Sequence, residues 1–179
     1  MLSRRRMLWA ALAAPGFLEA TPELVETEDN IEGPFYKAGA PWRNVLAEKS
    51  VAGTPLVVAG RVLDTSGKPI AGAVLDVWQA DGEGRYDNQG YTLRGRFKTD
   101  AAGHYELITV MPRFYKVSET AIRPSHIHVK ANSLTTQLYF EGALYNDRDR
   151  YVRRSLMLRP TDHGRAKRAT FDFVLRPGT

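Results

Sequence analysis

From Pro55 onward the chain sets short apolar runs between clusters of turn residues, and no long segment carries the 3.6-residue period of a helix. PLVVAGRVLD, Pro55 to Asp64, reads as a strand, and DTSGKPI, with Gly67 and Pro69, as the polar turn that ends it. In the next strand Val74, Asp76 and Trp78 share one face, and Leu75, Val77 and Gln79 share the other. A glycine-rich loop, Gly82 to Gly84, then delivers Tyr86. GRFKTDAAGHYELITVMP reads as a hairpin about Asp100 to Gly103 that ends at Pro112 and leads to Tyr115. SHIHVKA and LTTQLYFEG form a second hairpin around Asn132 and Ser133. RATFDFVLRP turns Phe171, Phe173 and Leu175 inward as a closing strand. Short strands at close spacing predict an all-β sandwich.

Before Pro55 the pattern is different. TPELVETEDNIEGPFYKAGAPWRN is rich in Pro, Gly and acidic residues and has no strand or helix period, so residues 21–54 read as a loop-rich N-terminal arm. Within it Glu32-Gly33-Pro34-Phe35-Tyr36 either packs over one end of a sheet or walls a pocket for a flat ligand. Residues 1–20 have the basic and apolar regions of an export signal: Ser3-Arg4-Arg5-Arg6, then Met7 to Ala14, then Pro15-Gly16. This resembles a twin-arginine signal and predicts a periplasmic or extracellular protein. A basic terminus or an uncleaved anchor is the other reading. The apolar run is far below the ~20 residues that span a bilayer, so no membrane span is expected in the mature chain. The division is then 1–20 signal, 21–54 arm and 55–179 sandwich.

Composition narrows the chemistry. At 179 residues, 43% hydrophobic and 25% charged, the chain is expected to form one soluble domain. It has no cysteine, so any metal is held by nitrogen and oxygen. The net charge is +5, and setting aside the first twenty residues leaves 22 basic and 19 acidic residues, or +3. That excess, without a basic run beyond the N-terminus, argues against nucleic acid and is compatible with small anions. Arg148 to Arg154 reads as a surface loop or short helix.

Two of the four histidines, His126 and His128, stand two apart in RPSHIHVK. On a strand both point to one face while Ile127 and Val129 enter the core, which makes a bidentate metal clamp or two polar residues on a solvated face. His104 and His163 read as surface residues. Tyr86 and Tyr115 sit in loops beside strand ends. A phenol, with a pKa near ~10, is a poor ligand in water, but a hard trivalent cation favours its phenolate, and phenolate with imidazole suits Fe(III) better than zinc or copper. Spacing alone does not choose these two among eight tyrosines, and rim aromatics are the plainer reading.

The chain resembles the intradiol ring-cleavage dioxygenases, the family of catechol and protocatechuate dioxygenases, from about Glu32 to Leu175. The likeness rests on EGPFYKAGAP, on GRVLDTSGKPIAGAVLDVWQADGEGRY, on MPRFYKV, and on RPSHIHV followed by TTQLYFEG. It implies a transthyretin-like (prealbumin-type) β-sandwich. It implies one mononuclear non-haem Fe(III) per chain, held by Tyr86, Tyr115, His126 and His128 with a water or hydroxide. Tyr115 would be the ligand that leaves when substrate binds. Arg123 would sit over the substrate ring, Gln137 near the bound oxygen, and Tyr139 behind them as a hydrogen-bonding partner. Pro34 and Phe35 would line the substrate pocket. The implied partners are a small aromatic diol and O2, and the product a muconate-type diacid.

The chain is shorter than the catechol dioxygenases, without their helical N-terminal region, and a homo-oligomer is compatible with it. Seven residues separate Tyr115 from Arg123, a short loop beside the pocket, which leaves the substrate open. Arg85 and Arg113 either attract a substrate carboxylate or are ordinary exposed arginines. Two other functions fit parts of the pattern: a transthyretin-like module that only binds, and a ferrous enzyme with His126, His128 and a carboxylate such as Asp147 as a facial triad.

Overall fold

The structure, a computed structural model, describes residues 23–48, 50–119 and 121–177. The expected export signal lies outside them. Among the described residues no helix is long and apolar enough to cross a membrane.

The strands are β1 (Pro55–Asp64), β2 (Val74–Gln79), β3 (Arg94–Lys98), β4 (His104–Val110), β5 (Tyr115–Lys116), β6 (Ile122–Arg123), β7 (His126–Ala131), β8 (Leu134–Phe140), β9 (Met157–Leu158), β10 (Thr161–His163), β11 (Ala166–Thr170) and β12 (Phe173–Leu175). One sheet runs β3-β2-β7-β8-β9. The other runs β10-β11-β1-β12, with β4 also paired to β1. Leu75, Val77, Ile127, Val129, Leu138 and Phe140 of the first meet Leu56, Val58, Val62, Leu107 and Phe173 of the second in one core. The all-β sandwich expected from the pattern is therefore the fold. Because strand side chains alternate, Trp78, His126, His128, Gln137 and Tyr139 fall on the outer face of the first sheet.

Two local expectations are corrected. The turn at Asp100 to Gly103 reverses the chain, and the Asp100 carboxylate accepts from the Ala102 and His104 amides. Yet β3 and β4 do not pair: β3 joins β2 and β4 joins β1. Phe97 and Tyr105 both point into the core, with ring centres 6.4 Å apart. The two arms must then lie on opposite sides of that core, so the connection is an arch between sheets. The closing strand is also split. Phe173 and Leu175 are buried as expected, but Phe171 is only half-buried and lies in the gap between β11 and β12. There the Phe171 carbonyl approaches β1 so closely that a Cβ on Gly60 would lie 1.8 Å from its oxygen.

The arm wraps the sandwich. Its amides at Leu24, Thr27 and Asn30 donate to the carbonyls of Thr65, Val174 and Thr135. Farther on, Trp42 bridges Arg96 at the edge of β3, Val45 bridges Ile108 of β4, and Leu46 is fully buried in the core. Residues 31–36 thereby cross the outer face that carries the histidines.

Candidate metal centre

The outer face of β7 presents His126 and His128, 2% and 1% exposed. Their Nε2 atoms are 3.1 Å apart. The His126 Nδ1 lies 2.7 Å from the Pro124 carbonyl, which can only accept, so this nitrogen carries the proton and Nε2 keeps its lone pair. His128 stacks on Trp78 of the neighbouring strand, with ring centres 4.7 Å apart and planes 7° from parallel. Gly33, at φ 72°, also lies against it, and a Cβ there would come within 3.3 Å of the imidazole. Burial, with Arg123 as the next cause, lowers His126 to about 3; burial, then His126, pushes His128 well below its usual value. Both imidazoles are neutral at pH 7, the form that binds metals.

Two loops bring the phenols to this pair. Tyr86 follows the glycine-rich loop after β2, and Tyr115 opens β5. Their rings meet edge to face with centres 5.4 Å apart. Tyr115 lies 5.7 Å from His126, and Tyr86 6.3 Å from His128, between ring centres. The four residues expected together are together. The Tyr86 hydroxyl is buried and faces the Tyr115 hydroxyl, with no hydrogen bond of regular geometry among the described residues. Burial, reinforced by Tyr115, raises its pKa well above the ordinary value; burial also raises Tyr115, against the pull of Arg123.

These features fit a metal ion. A buried hydroxyl that makes no regular hydrogen bond among the described residues calls for an explanation, and two imidazole nitrogens 3.1 Å apart have the spacing of neighbouring ligands on an ion bonded at about 2.1 Å. The donors are nitrogen and phenol oxygen. Among the described residues no three of His, Cys, Asp and Glu gather closely enough to hold a metal. Asp147 lies on an exposed turn, its side chain 82% exposed, which sets the facial triad aside.

Arg123 stands across the β5–β6 pair from Tyr115. Its Nε donates to the Asp149 carboxylate at 2.5 Å, and Nη2 donates to the Gln137 Oε1 at 2.6 Å. The Tyr139 hydroxyl donates to the same Gln137 oxygen at 2.8 Å, and the Gln137 amide donates to the Ile31 carbonyl of the arm at 2.6 Å. Burial alone would lower the guanidinium's pKa, and the Asp149 carboxylate outweighs that and raises it. The Tyr151 ring lies 5.1 Å from the same guanidinium. Asp149, its side chain 2% exposed, is a residue the sequence did not disclose, because it sits inside the basic stretch RDRYVRR. Trp78 was legible in part: the strand pattern put it on the outer face, without naming what it touches.

Phe35 lies flat on Tyr86, with centres 4.3 Å apart, and edge-on to Tyr115. It lines a cavity of about 350 Å³ with Gly84, Tyr86, Arg113, Phe114 and Tyr115. Pro34, beside it, is exposed. A larger cavity, about 730 Å³, is bordered by Arg61, His104 and Arg168 and by none of these residues. Arg85 pairs with Asp81 and Glu83, and Arg113 lies over Phe114. His104 is exposed and pairs with Asp100, and His163 is exposed.

Residues 31–177 match a family model described as dioxygenase. The 6-chlorohydroxyquinol 1,2-dioxygenase of Cupriavidus pinatubonensis is 34% identical, over 84% of this chain and 65% of the relative. A chlorocatechol 1,2-dioxygenase of Rhodococcus opacus is 33% identical over 74% of this chain and 66% of its own length. The chain thus spans just under two thirds of these curated relatives. Among solved structures, the dioxygenase domain of a dioxygenase–carbohydrate-binding fusion from Streptomyces sp. SirexAA-E superposes with a TM-score of 0.75. It is 37% identical, covering 85% of this chain and 99% of that one.

Proposed function

The chain belongs to the intradiol ring-cleavage dioxygenase family, and on that premise we propose that it opens a catechol-type ring between the two hydroxyl-bearing carbons. Both atoms of O2 enter the product, a muconate-type diacid. One ferric ion per chain would be held by Tyr86, Tyr115, His126 and His128. When bound, it would supply a Lewis-acid, redox-active centre that makes a catechol ring reactive toward dioxygen.

The chain's own residues do the rest. His126 and His128 stay neutral and are fixed from behind by Pro124 and Trp78. As a phenolate, the form that bound ferric iron would favour, the Tyr115 oxygen would take a proton from a substrate hydroxyl, and the burial that raises its proton affinity would help it keep that proton. Arg123, always charged, supports negative charge that develops on the substrate, and Asp149 and Gln137 hold it in place. Phe35 and the arm keep water from this face.

The observation that carries the reading is the convergence of two buried Nε2 atoms, 3.1 Å apart, beside a buried tyrosine hydroxyl that makes no regular hydrogen bond among the described residues. The test is to purify the protein with ferric iron, record its visible spectrum, and follow oxygen uptake with a panel of catechols, identifying products by mass. A red protein that makes muconate-type diacids, and a Tyr86→Phe variant with an altered or lost band, support the reading. A colourless parent that consumes no oxygen would leave a binding sandwich in its place.

We further propose export, supported by the run Ser3 to Ala14. Replacing Arg4, Arg5 and Arg6 with lysine should hold the protein in the cytoplasmic fraction; unchanged fractionation would count against it.

A further inference from the structure

Arg94 opens β3 and is only 2% exposed, yet no carboxylate pairs with it among the described residues. Its guanidinium is used on carbonyl groups. Nη1 donates to the Phe35 carbonyl at 2.6 Å, while Nε and Nη2 both donate to the Asp87 carbonyl, at 3.2 and 3.0 Å. Burying a charge against neutral acceptors is costly. The two carbonyls are the two supports of Tyr86: Phe35 lies flat on its ring, and Asp87 is the next residue in the chain. The guanidinium carbon itself is 6.0 Å from the centre of that ring.

The surroundings point the same way. The Asp87 carboxylate accepts from the amides of Gln89, Gly90 and Thr92, so the residue after Tyr86 is held at its side chain as well as its carbonyl. Lys37 donates to the Gln89 carbonyl and Tyr91 to the Ala38 carbonyl, which tie the arm to the loop. Leu93, just before Arg94, is buried at φ 54°. That left-handed conformation is strained for a non-glycine residue. Such a conformation persists where the surroundings over-determine it, and it is found at functional sites.

We propose that Arg94 is a positioning residue for Tyr86: one planar guanidinium grips the arm and the loop together, and so fixes the phenol oxygen at the metal site. The inference rests on the ferric reading above. Lysine, a point donor on a flexible stem, cannot reproduce the fork.

The test compares Arg94→Met and Arg94→Lys with the parent. Ferric affinity is read by chelator competition, the tyrosinate-to-iron band by visible absorption, and the melting temperature on the iron-free proteins. Arg94→Met should weaken ferric binding at least tenfold and shift the band, with Arg94→Lys between the two. In a Tyr86→Phe background, Arg94→Met should add nothing further, because the group it positions is gone. A purely structural arginine would lower the melting temperature and leave affinity and band as in the parent. That result overturns the proposal, as does an undiminished loss in the Tyr86→Phe background. Should Arg94→Met fail to fold, Arg94→Lys decides on the same criteria. A parent that takes up no ferric iron overturns the metal reading and this inference with it; a parent that takes it up, with both variants unchanged, overturns this inference alone.

Discussion

At the scale of single residues, the site divides into side chains that would touch a metal and side chains that hold them. The histidine pair was legible because i, i+2 on a strand fixes a shared face, whatever the rest of the chain does. The tyrosines were not legible from spacing, since a loop residue's direction depends on contacts far away in sequence; only the resemblance singled them out. Asp149 gave no signal at all. Its role predicts that Asp149→Asn keeps the ferric colour but lowers kcat roughly 10- to 100-fold, the usual effect of losing the group that orients a functional side chain. Removing the charge from this nearly buried ion pair should also cost about 3 kcal/mol of stability. Oxygen-uptake kinetics beside urea unfolding check both, and unchanged kcat would mean that Asp149 does not orient Arg123 for the reaction. The histidines make a second prediction, for the iron-free protein. Unfolded, each titrates near 6.5; folded, His126 is lowered to about 3 and His128 in the same direction. Below pH 6.5 the unfolded chain therefore binds protons that the folded chain refuses. Stability should fall on acidification from about 6.5 toward 3 and be restored as pH rises, by up to ~1.4 kcal/mol per pH unit per histidine. Unfolding at pH 7, 6 and 5 measures the slope, and His126→Leu should flatten it.

At the scale of elements, strand existence was readable and strand partnership was not. Asp100 to Gly103 announces a reversal equally well for a hairpin and for an arch, and the chain order contains nothing that says which ladder each arm joins. The deciding fact is three-dimensional: Phe97 and Tyr105 bury toward each other from opposite sheets. The split of the closing strand has a similar origin, the close pass of the Phe171 carbonyl over β1. Here glycine is required for space, which separates it from glycines required for conformation. Gly72 has φ 69° with nothing within 4 Å of a Cβ. Gly72→Ala should then cost only the left-handed strain, about 1–2 kcal/mol. Gly60→Ala must displace backbone that pairs β1 with β11 and β12, and should cost more than the ~1–3 kcal/mol typical of overpacking. Denaturant midpoints of the two variants test the order. Equal losses would mean that the β11–β12 gap yields easily.

At the scale of the molecule, the sandwich and the site are built on opposite faces of one sheet. The core fills the side carrying Leu75, Val77, Ile127 and Val129, and the ligands stand on the other. Metal should therefore add to the stability of a fold that already exists. Ferric iron at a hundred times its dissociation constant contributes about 2.7 kcal/mol, which for a chain of this size raises Tm by roughly 5–11 °C. The gain should be local in origin. The candidate ligands come from the Tyr86 loop, from β5, a two-residue strand paired with the equally short β6 across exposed Val117 and Ser118, and from β7. Of these, β5–β6 is held by few backbone bonds and should open most readily without metal. Hydrogen exchange on the iron-free and ferric proteins tests this. Iron should slow exchange in residues 84–92 and 113–123, while β1, β2 and β4 exchange at nearly the same rate in both. Slowing spread evenly over both sheets would mean that metal binding and folding are one event. The site could then not be treated as ligands mounted on a finished sandwich.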